Sequence, residues 1–466
     1  MTPNPFVPMS DRTRRASLAL ALAAACLLAA CGGGGSSAAA PASCSLDAQK
    51  SDLATSLQDT YLWYTQLRSP DPAGFDSLSG WLGGIVSAGV PGNNAFPADR
   101  WSGLQATSSF NSFFRDGESL GYGVSVAGVE VRGTAQPLRV RYVEPLSPAA
   151  TAGVRRGDTI VRVNGRAATE LTQADDFTWL ETTTAGTRLQ LQLRDTQGGL
   201  RDVTLVASTY ALQPVSVHTV LNSPGGRSVG YLVLKDFISQ SSAPLDAAFA
   251  SFRAAGVQEL VLDLRYNGGG LVQLAADLAS RVNGTPAVQG QPFTRLVYSD
   301  KRSASNFSFP FSAQNQALTS LTRVYVLTGS RTCSASELLI NGLQPFIDVV
   351  QIGGTTCGKP VGFQPRDNGC GSTVSAVNFE SLNASGEGRY WDGLRPRCAV
   401  VEDWNRALGD PAEVLIAAAL THADTGSCPA PSASESERMQ GLSARLREAA
   451  RSGVMEPGER RGMWVP

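Results

Sequence analysis

Ser334 and Lys359 are the two residues whose types and positions could activate a hydroxyl group for nucleophilic attack. Ser334 follows a loop of small and polar residues and stands where a helix is predicted to begin, so unpaired backbone N–H groups point toward it. The same position is typical of a helix N-cap, with Glu337 as the capping-box partner three residues later. This stretch alone leaves both interpretations open.

Lys359 favours the catalytic interpretation. The sequence contains 4 lysines against 35 arginines, so a retained lysine indicates a task that arginine cannot perform. Arginine does not deprotonate in proteins, whereas a buried lysine can. A lysine with a pKa of about 10.4 is neutral about one time in 2,500 at pH 7, and burial lowers such a pKa by about 3–5 units. A buried Lys359 could therefore be a general base, although a surface lysine on a loop also fits this residue taken alone.

Other nucleophilic arrangements are poorly supported. Neither histidine, His218 or His422, falls in a glycine-rich loop, which disfavours a histidine-based triad. Residues 117–121 match Gly-x-Ser-x-Gly, but they lead into a predicted strand, whereas a nucleophile elbow needs a strand, a turn and a helix. The sequence has no Ser-x-x-Lys motif, which argues against a penicillin-binding or β-lactamase site.

Three apolar strands are expected to position the serine and the lysine. Residues 260–264, 324–327 and 349–352 each have the pattern of a buried strand and run into a loop of glycine and small polar residues. The first loop is residues 265–270 (Arg-Tyr-Asn-Gly-Gly-Gly), and the other two contain the serine and the lysine. Ligand sites in parallel α/β sheets form beyond the carboxyl ends of the strands, so we expect the three loops to converge on one crevice.

The fold class that follows is a multidomain α/β protein. Strand–helix alternation over residues 211–428 predicts an α/β core with a mostly parallel sheet. Apolar residues at helical spacing, such as Leu53 and Leu57, predict a helical N-terminal domain over residues 44–116.

Residues 117–210 alternate short β-rich runs with turns and resemble a PDZ domain. The resemblance rests on residues 145–165, which run from Pro-Leu-Ser-Pro to Val-Asn-Gly, and on a Gly-Tyr-Gly-Val loop before them. It implies that backbone N–H groups of this loop bind the terminal carboxylate of a peptide, which adds a strand to the sheet edge. The implied peptide-binding residues are Gly121, Tyr122, Gly123 and Val124. A β-rich spacer that binds nothing is the alternative.

Residues 1–30 have the pattern of an export signal. Arginines precede the apolar run 16–30, which is too short to span a bilayer comfortably. The run ends in Leu-Ala-Ala before Cys31 and a Gly/Ser/Ala-rich stretch, and it resembles a bacterial lipoprotein signal. The resemblance implies a lipid anchor on Cys31 and, since glycine rather than aspartate follows, an outer-membrane location facing the periplasm. A plain secretory signal with an incidental cysteine is the alternative.

Export allows the six cysteines after Cys31 to form structural disulfides. Their spacing does not match a zinc site, and we expect neither a metal nor a cofactor. Six cysteines allow 15 pairings, so connectivity stays open, although a bridge from Cys44 to Cys428 would tie together the ends of the folded region. The net charge of −1, without a basic patch beyond the N-terminus, argues against nucleic acid as a partner.

Residues 45–425 resemble the carboxyl-terminal processing (tail-specific) serine proteases, both in the order of their regions and in their motifs. The matching motifs are Ser-Ala-Ser-Glu at 334–337, Gly-Lys at 358–359 and Arg-x-Asn-x-Gly-Gly at 265–270. The lysine follows the serine by 25 residues, as it does in the family.

The resemblance implies a role for each matching residue. Ser334 corresponds to the nucleophile and Lys359 to its base, and the backbone N–H groups of Ala335 and Gly269 to the oxyanion hole. Relatives often have proline at the Gly268 position; because proline has no N–H, the second donor is expected elsewhere in the loop.

Two departures from the family accompany these matches. Many members place a glutamine four residues after the lysine to orient it, but here that position is Phe363 and Gln364 comes one later. We therefore predict Gln364 as the third catalytic residue, through a bulge in the loop. Cys333 and Cys357 stand beside the serine and the lysine, and a bridge between them would pin the two loops together.

The function implied is serine endopeptidase action on exported proteins near apolar C-terminal tails. The partners would be proteins or peptides with a free C-terminus and, through the lipid anchor, the membrane; the oligomeric state is not indicated. Two other hypotheses stay open. A catalytically silent PDZ protein would only bind peptides, and a hydrolase of small esters would not need residues 118–208.

The predicted organisation is a signal peptide at 1–30, a tether at 31–43, a helical domain at 44–116, a PDZ domain at 117–210, a Ser/Lys protease core at 211–428 and a tail at 429–466 with a docking helix.

Overall fold

A computed structural model describes residues 43–129, 135, 137–430 and 462–465. The predicted signal peptide, the predicted lipidation site Cys31 and the predicted helix of the tail lie outside these residues. No helix within the described residues combines the length and the apolar character that a membrane crossing requires.

The N-terminal region is helical, as predicted. Its elements are α1 (Leu46–Thr60), α2 (Leu78–Ile85), β1 (Gly103–Ala106) and α3 (Thr107–Asn111), with 3₁₀ turns at Tyr64–Gln66 and Pro72–Gly74 and a π-helical turn at Ser112–Asp116. Helix α1 begins where the Ser45 hydroxyl accepts a hydrogen bond from the Ala48 N–H at 3.3 Å. Leu53 and Leu57 lie one turn apart and are both buried, so α1 packs its apolar face inward.

The next region is a small antiparallel β-domain. Its elements are β2 (Glu118–Gly121), β3 (Val124–Ala127), β4 (Leu138–Val143), α4 (Pro148–Thr151), β5 (Thr159–Val163), β6 (Arg166–Ala167), α5 (Ala168–Gln173), β7 (Arg188–Arg194), β8 (Leu200–Val206) and β9 (Ser208–Ala211), with a 3₁₀ turn at Thr178–Leu180. The main sheet has the order β3-β4-β5-β7-β8, and β2 pairs with β9. Strand β3 therefore forms an edge of the sheet in the described part of the domain.

The core contains two six-stranded sheets. Its elements are β10 (Val215–Asn222), β11 (Ser228–Leu234), α6 (Ser242–Ala254), β12 (Glu259–Asp263), β13 (Gly269–Leu271), α7 (Val272–Val282), β14 (Pro292–Tyr298), β15 (Phe307–Pro310), β16 (Arg323–Thr328), α8 (Ala335–Leu343), β17 (Asp348–Gly353), β18 (Val361–Phe363), β19 (Arg366–Asp367), β20 (Ser372–Ser375), β21 (Val377–Leu382), β22 (Cys398–Ala399), α9 (Val414–Thr425) and β23 (Gly462–Trp464). Short 3₁₀ turns lie at Ser239–Ser241 and Asp300–Ser305.

The first sheet is the mostly parallel sheet that the sequence predicts. Its order is β10-β11-β12-β16-β17-β22, and only the β10–β11 pair is antiparallel. The second sheet has the order β13-β23-β18-β21-β14-β15 and is mixed, with parallel pairing only around β23. Sequence patterns did not predict this second sheet, because several of its strands are only three residues long.

Helices α6, α7 and α8 lie between the two sheets, while α9 covers the outer face of the first sheet. A helix between two sheets has no solvent face, and every residue of α8 is buried. The nucleophile position, at the start of α8, is therefore anchored to the most buried layer of the protein.

The disulfides correct one prediction. Cys44 pairs with Cys370 rather than with Cys428, across a Cα–Cα distance of 5.5 Å, and Cys428 pairs with Cys398. The reason is that α1 packs beside the β19–β20 hairpin, where Asp52 accepts a hydrogen bond from Arg366 at 2.6 Å. The predicted bridge between Cys333 and Cys357 is present.

Removing the Cys44–Cys370 bridge should destabilise the protein. A Cys44→Ser/Cys370→Ser double variant frees a chain segment with a sequence separation of 326 residues, and we expect it to lower the free energy of unfolding by about 2–5 kcal/mol. Denaturant unfolding measures this loss.

The matched control is Cys398→Ser/Cys428→Ser, whose bridge has a sequence separation of only 30 residues. The control should lose about 2 kcal/mol less, because loop-closure entropy grows with loop length. Equal losses would contradict this entropic explanation.

Candidate active site

The three predicted loops do converge. Strands β12, β16 and β17 are neighbours in the first sheet, and their carboxyl ends lead to residues 265–270, to Ser334 and to Lys359 respectively. Hydrogen bonds join the first two loops directly, because the Asn267 carbonyl accepts from the Cys333 N–H at 3.0 Å and from the Ser336 hydroxyl at 3.1 Å. The convergence of the loops expected from strand order is therefore present.

Ser334 occupies a backbone conformation that L-residues rarely adopt, with φ of 62° and ψ of −111°. Such a conformation costs about 1–3 kcal/mol and persists only where surrounding contacts impose it. The side chain is fully buried, and its Oγ has no hydrogen-bond partner within the described residues. Ser334 is the N-cap of α8 with Glu337 as its capping-box partner, and its strained backbone and unsatisfied buried hydroxyl are in addition compatible with the predicted role as nucleophile.

Glu337 connects the serine loop to the lysine loop. Its Oε2 accepts hydrogen bonds from the backbone N–H groups of Ser334 at 2.9 Å and Lys359 at 2.8 Å. Its Oε1 accepts from the Thr356 hydroxyl at 2.5 Å and the Gly358 N–H at 2.8 Å. Burial raises the pKa of the Glu337 carboxyl above its usual value, and these four hydrogen bonds oppose the rise.

The position of this carboxylate has a geometric consequence. Because Ser334 and Lys359 both donate to the same oxygen, their backbone nitrogens are at most about 6 Å apart. Sequence reasoning identified Glu337 only as a capping-box partner, and its hydrogen bond to the Ser334 N–H is half of that box. The three-residue spacing was the available signal; the contact with the lysine loop depends on tertiary structure.

The Cys333–Cys357 disulfide joins the same two loops through covalent bonds, with the two Cα atoms 5.2 Å apart. Thr332 adds a further link, because its carbonyl accepts from the Cys357 N–H at 3.0 Å and its hydroxyl donates to the Leu264 carbonyl at 2.8 Å. All three loops are thus fixed to one another beside Ser334.

Lys359 is buried, with 1% of its surface exposed, and such burial is what the predicted role as a base would need. Its Nζ lies 3.9 Å from the centroid of the Phe363 ring. The structure contradicts the assignment of Gln364 as the orienting residue: Gln364 is exposed, and its backbone N–H donates to Asn378. The β18–β21 pairing is irregular between Gly362 and Phe363, but this irregularity leaves Phe363 buried against the lysine and Gln364, the residue after the strand, exposed.

The oxyanion loop also differs from the prediction in one residue. The Gly269 N–H donates to Asn267 Oδ1 at 2.8 Å, so it is not an open donor in this structure. The N–H groups of Gly268 and Ala335 are buried and have no acceptor within the described residues. Buried N–H groups without a partner are rare in proteins, and two in adjoining loops beside a serine have the character of an oxyanion hole.

The predicted peptide-binding loop lies between β2 and β3. The Tyr122 carbonyl accepts from Ala149 and the Gly123 carbonyl from Glu144, but within the described residues the N–H groups of Tyr122 and Gly123 have no acceptor. Gly123 has φ of 75°, and a Cβ there would lie 2.0 Å from the Ser147 Cβ, so only glycine fits. Val124 begins the edge strand β3, and Gly121 ends β2.

A buried charge cluster supports the oxyanion loop from the side of the β-domain. The Arg265 guanidinium donates to Asp263 and Glu413, each at 2.6 Å. Burial works against the ionisation of Asp263, but Arg265 outweighs it and lowers the pKa of this carboxyl. Arg156, from the β-domain, joins the cluster through Glu402 at 2.8 Å. The β-domain therefore contacts the core next to the loop that holds Gly268.

Replacing the Glu337 carboxylate should separate the two loops. In Glu337→Gln one oxygen becomes an NH₂ group, so two of the four donors lose their acceptor whichever way the amide turns. We expect the free energy of unfolding to fall by about 3 kcal/mol, and covalent labelling of Ser334 by a fluorophosphonate to slow about 10²-fold.

The matched control is Glu380→Gln, which removes a carboxylate paired with the half-exposed Arg389. Such a pair contributes at most about 1 kcal/mol, so labelling and stability should change little. Unchanged labelling in Glu337→Gln would mean that the disulfide alone holds the loops.

Known proteins share these regions. Residues 228–398 match Peptidase family S41, and residues 139–193 match the PDZ domain. The chain is 26% identical over 260 residues to the carboxy-terminal processing protease CtpA of Bacillus subtilis (strain 168), a match that covers 55% of this chain and 52% of that protein. It is 27% identical over 263 residues to a carboxyl-terminal-processing protease of Synechocystis sp., covering 55% of this chain and 58% of that protein. The chain thus spans just over half the length of these curated relatives.

A crystal structure extends the similarity to the three-dimensional fold. The structure of a candidate S41 protease from Bacteroides fragilis NCTC 9343 superimposes with a TM-score of 0.65 at 27% identity, covering 80% of this chain and 97% of that chain. Residues 228–398 are therefore similar to peptidase family S41, whose members are serine-type peptidases, and residues 139–193 are similar to a PDZ domain.

Proposed function

We propose that this chain is a carboxyl-terminal processing serine endopeptidase that cleaves exported proteins near apolar C-terminal tails. Ser334 is the nucleophile and Lys359 its general base. One observation carries the proposal: both side chains are buried, and the backbone N–H groups of both residues donate to the same oxygen of Glu337. Two loops separated in sequence are held together there, around a serine whose hydroxyl has no hydrogen-bond partner among the described residues.

The mechanism follows from these groups. Neutral Lys359 takes the proton from Ser334 Oγ as that oxygen attacks the carbonyl carbon of the peptide bond. The tetrahedral intermediate then collapses, the carbon–nitrogen bond breaks, and the lysine gives its proton to the leaving amine. Lys359, neutral again, then takes a proton from a water molecule, which attacks the carbonyl carbon of the acyl-enzyme. The bond from this carbon to Ser334 Oγ breaks, and Lys359 returns the proton to the serine.

The oxyanion hole is assigned to the N–H groups of Ala335 and Gly268; the Gly268 donor is particular to this chain, because relatives with proline at that position lack the N–H and must use another donor. Both are buried without an acceptor in the described part of the chain, and the Asn267 carbonyl ties their loops together. Each such donor contributes about 3–4 kcal/mol to lowering the barrier, because it faces charge that develops only in the transition state. Asn267 has a positioning role: its side chain donates to the Leu234 carbonyl at 3.0 Å and holds the Gly269 N–H.

The PDZ domain supplies substrate capture. Two open N–H groups, of Tyr122 and Gly123, suit the carboxylate of a chain end, and the adjoining edge strand β3 can accept an extended peptide by main-chain pairing. A free C-terminus thus becomes the recognised feature of the substrate. The lipoprotein-like signal supports a location in the cell envelope, anchored through Cys31 in the outer membrane and facing the periplasm.

A catalytically silent peptide-binding lipoprotein is the second candidate function. One observation favours it: the position that holds an orienting glutamine in many relatives is Phe363, whose ring cannot accept a hydrogen bond from the lysine as an amide oxygen does. The experiment below separates the two functions.

Substitution of the dyad should abolish proteolysis of an unfolded protein with an apolar C-terminus. Ser334→Ala and Lys359→Ala should each lower kcat at least 10³-fold. Lys359→Arg should be equally inactive, because a guanidinium does not release its proton. Cleavage is followed by gel electrophoresis and mass spectrometry of the fragments.

The matched control is Lys301→Arg. Lys301 stacks on the ring of Tyr64, a residue of the helical N-terminal region, and has no assigned part in the dyad. This variant should cleave at the wild-type rate. Wild-type cutting by Lys359→Arg would refute the dyad, and an inactive wild type that still binds peptides with a free C-terminus, but not amidated ones, would establish the silent alternative.

Gly268→Pro tests the oxyanion assignment. Proline removes the N–H at this position, and we expect kcat to fall about 10²–10³-fold with little change in KM. Gly268→Ala keeps the N–H and should stay within a few-fold of wild type. If Gly268→Pro retains full activity, the second donor is Gly269 after release from Asn267; if both variants lose activity equally, space rather than the N–H is the requirement.

A further inference from the structure

A short strand of the tail fills a slot in the second sheet. Strand β23 lies between β13 and β18 and runs parallel to both. Gly462, Met463 and Trp464 pair with Gly269, Gly270 and Leu271 in register, and Trp464 also pairs with Phe363. The Val465 N–H donates to the Phe363 carbonyl at 3.2 Å. The tail thereby supplies a central strand to a sheet whose two neighbouring strands come from the catalytic core.

Both walls of this slot continue directly from the catalytic loops. Strand β13 begins at the residue after Gly268, and β18 begins two residues after Lys359. Because Gly462 pairs with Gly269, the N-terminal end of the tail strand lies beside the proposed oxyanion hole. The strand then runs away from the nucleophile. A substrate bound with its scissile bond at Ser334 would place the residues on the C-terminal side of that bond in the same direction, leading away from the nucleophile.

The backbone of the strand in the slot lies very close to the backbone of β18. A Cβ at Gly362 would lie 2.2 Å from the Phe379 ring and 2.8 Å from the Met463 carbonyl oxygen, so glycine at this position makes room for that ring and for the neighbouring strand. Main-chain pairing on both sides provides affinity that does not depend on the sequence bound.

Met463 and Val465 pack into the main hydrophobic core, whereas Trp464 leaves one polar atom unpaired. Trp464 packs against Phe110, Phe114 and Phe363, but its indole Nε1 is buried without a hydrogen-bond partner in the described residues. A buried donor left unpaired is destabilising. The aromatic pocket therefore selects for apolar character rather than for this tryptophan, and an apolar residue without a buried donor would fit it better.

We propose that the slot between β13 and β18 is the binding site for the apolar residues on the C-terminal side of the scissile bond, and that β23 occupies it as an internal competitor. The proposal rests on the proposed function and adds a location for the substrate tail. Strands β13 and β18 are each three residues long, so the slot fits a cut placed a few residues before an apolar end. The competing explanation is that β23 is a permanent strand of the core.

Binding of an apolar peptide tests the proposal in the full chain. The probe is fluorescein-labelled Gly-Met-Trp-Val-Pro with an amidated end, which leaves no carboxylate for the PDZ domain. Its affinity is measured by fluorescence anisotropy for Ser334→Ala and for Ser334→Ala combined with Met463→Ser, Trp464→Ser and Val465→Ser. The combined variant should bind the probe at least tenfold tighter, because an intramolecular competitor acts at high effective concentration. Ser334→Ala removes the nucleophile, so this result does not depend on the proposed catalytic activity.

The rate of substrate cleavage is the second readout. It should rise if β23 is an internal competitor and fall if β23 is a permanent strand of the core. With Ser334 intact, the triple variant Met463→Ser/Trp464→Ser/Val465→Ser should cleave an unfolded substrate several-fold faster than wild type, and the peptide should inhibit it. A permanent strand predicts the reverse: slower cleavage that the peptide restores. Phe307→Ser, at an exposed position on β15 of the same sheet, is the matched control and should change neither readout. Equal probe binding in both proteins, or unfolding of the triple variant, would overturn the proposal.

Discussion

The buried carboxylate of Glu337 is the interaction on which the site depends. A charge removed from water must be solvated by protein dipoles, and here three backbone N–H groups and one hydroxyl supply that solvation. The donors come from two loops that follow different strands, so separating the loops would leave the charge without partners. The free energy needed to leave the buried Glu337 carboxylate without hydrogen bonds thus opposes separation of the serine loop from the lysine loop. The Cys333–Cys357 bridge limits the distance between the same two loops covalently.

This arrangement also explains how a strained nucleophile persists. Ser334 has a positive φ, and the residues on either side of it are fixed by the Asn267 carbonyl and by helix α8. Helix α8 lies between two sheets with no residue exposed, so it cannot shift to relax the turn without disturbing both sheets. Packing along α8 therefore maintains the backbone geometry of Ser334, the N-cap residue just before the helix.

Much of this was predictable from the sequence, and the errors have physical causes. Long apolar runs ending in glycine-rich loops predicted three neighbouring strands, the crevice at their ends and the buried Lys359. Patterns failed where a single side chain decided the outcome. Phe363, the last residue of β18, packs against the lysine and leaves Gln364 exposed after an irregular strand pairing, and Asn267 holds the N–H of Gly269. The second sheet escaped prediction because three-residue strands contributed by distant segments have no periodicity to detect.

The Cys44–Cys370 bridge determines where mechanical load would enter the protein. Cys44 stands just before α1 and at the end of the segment predicted to be a tether. Tension applied through the residues before Cys44 passes across the sulfur–sulfur bond into the turn between β19 and β20, so it bypasses the hydrogen bonds of α1. A helix under tension at one end would unfold turn by turn, whereas the disulfide transmits part of the tension to the β19–β20 hairpin. The first helix can thus stay folded while the molecule is held by its leading end.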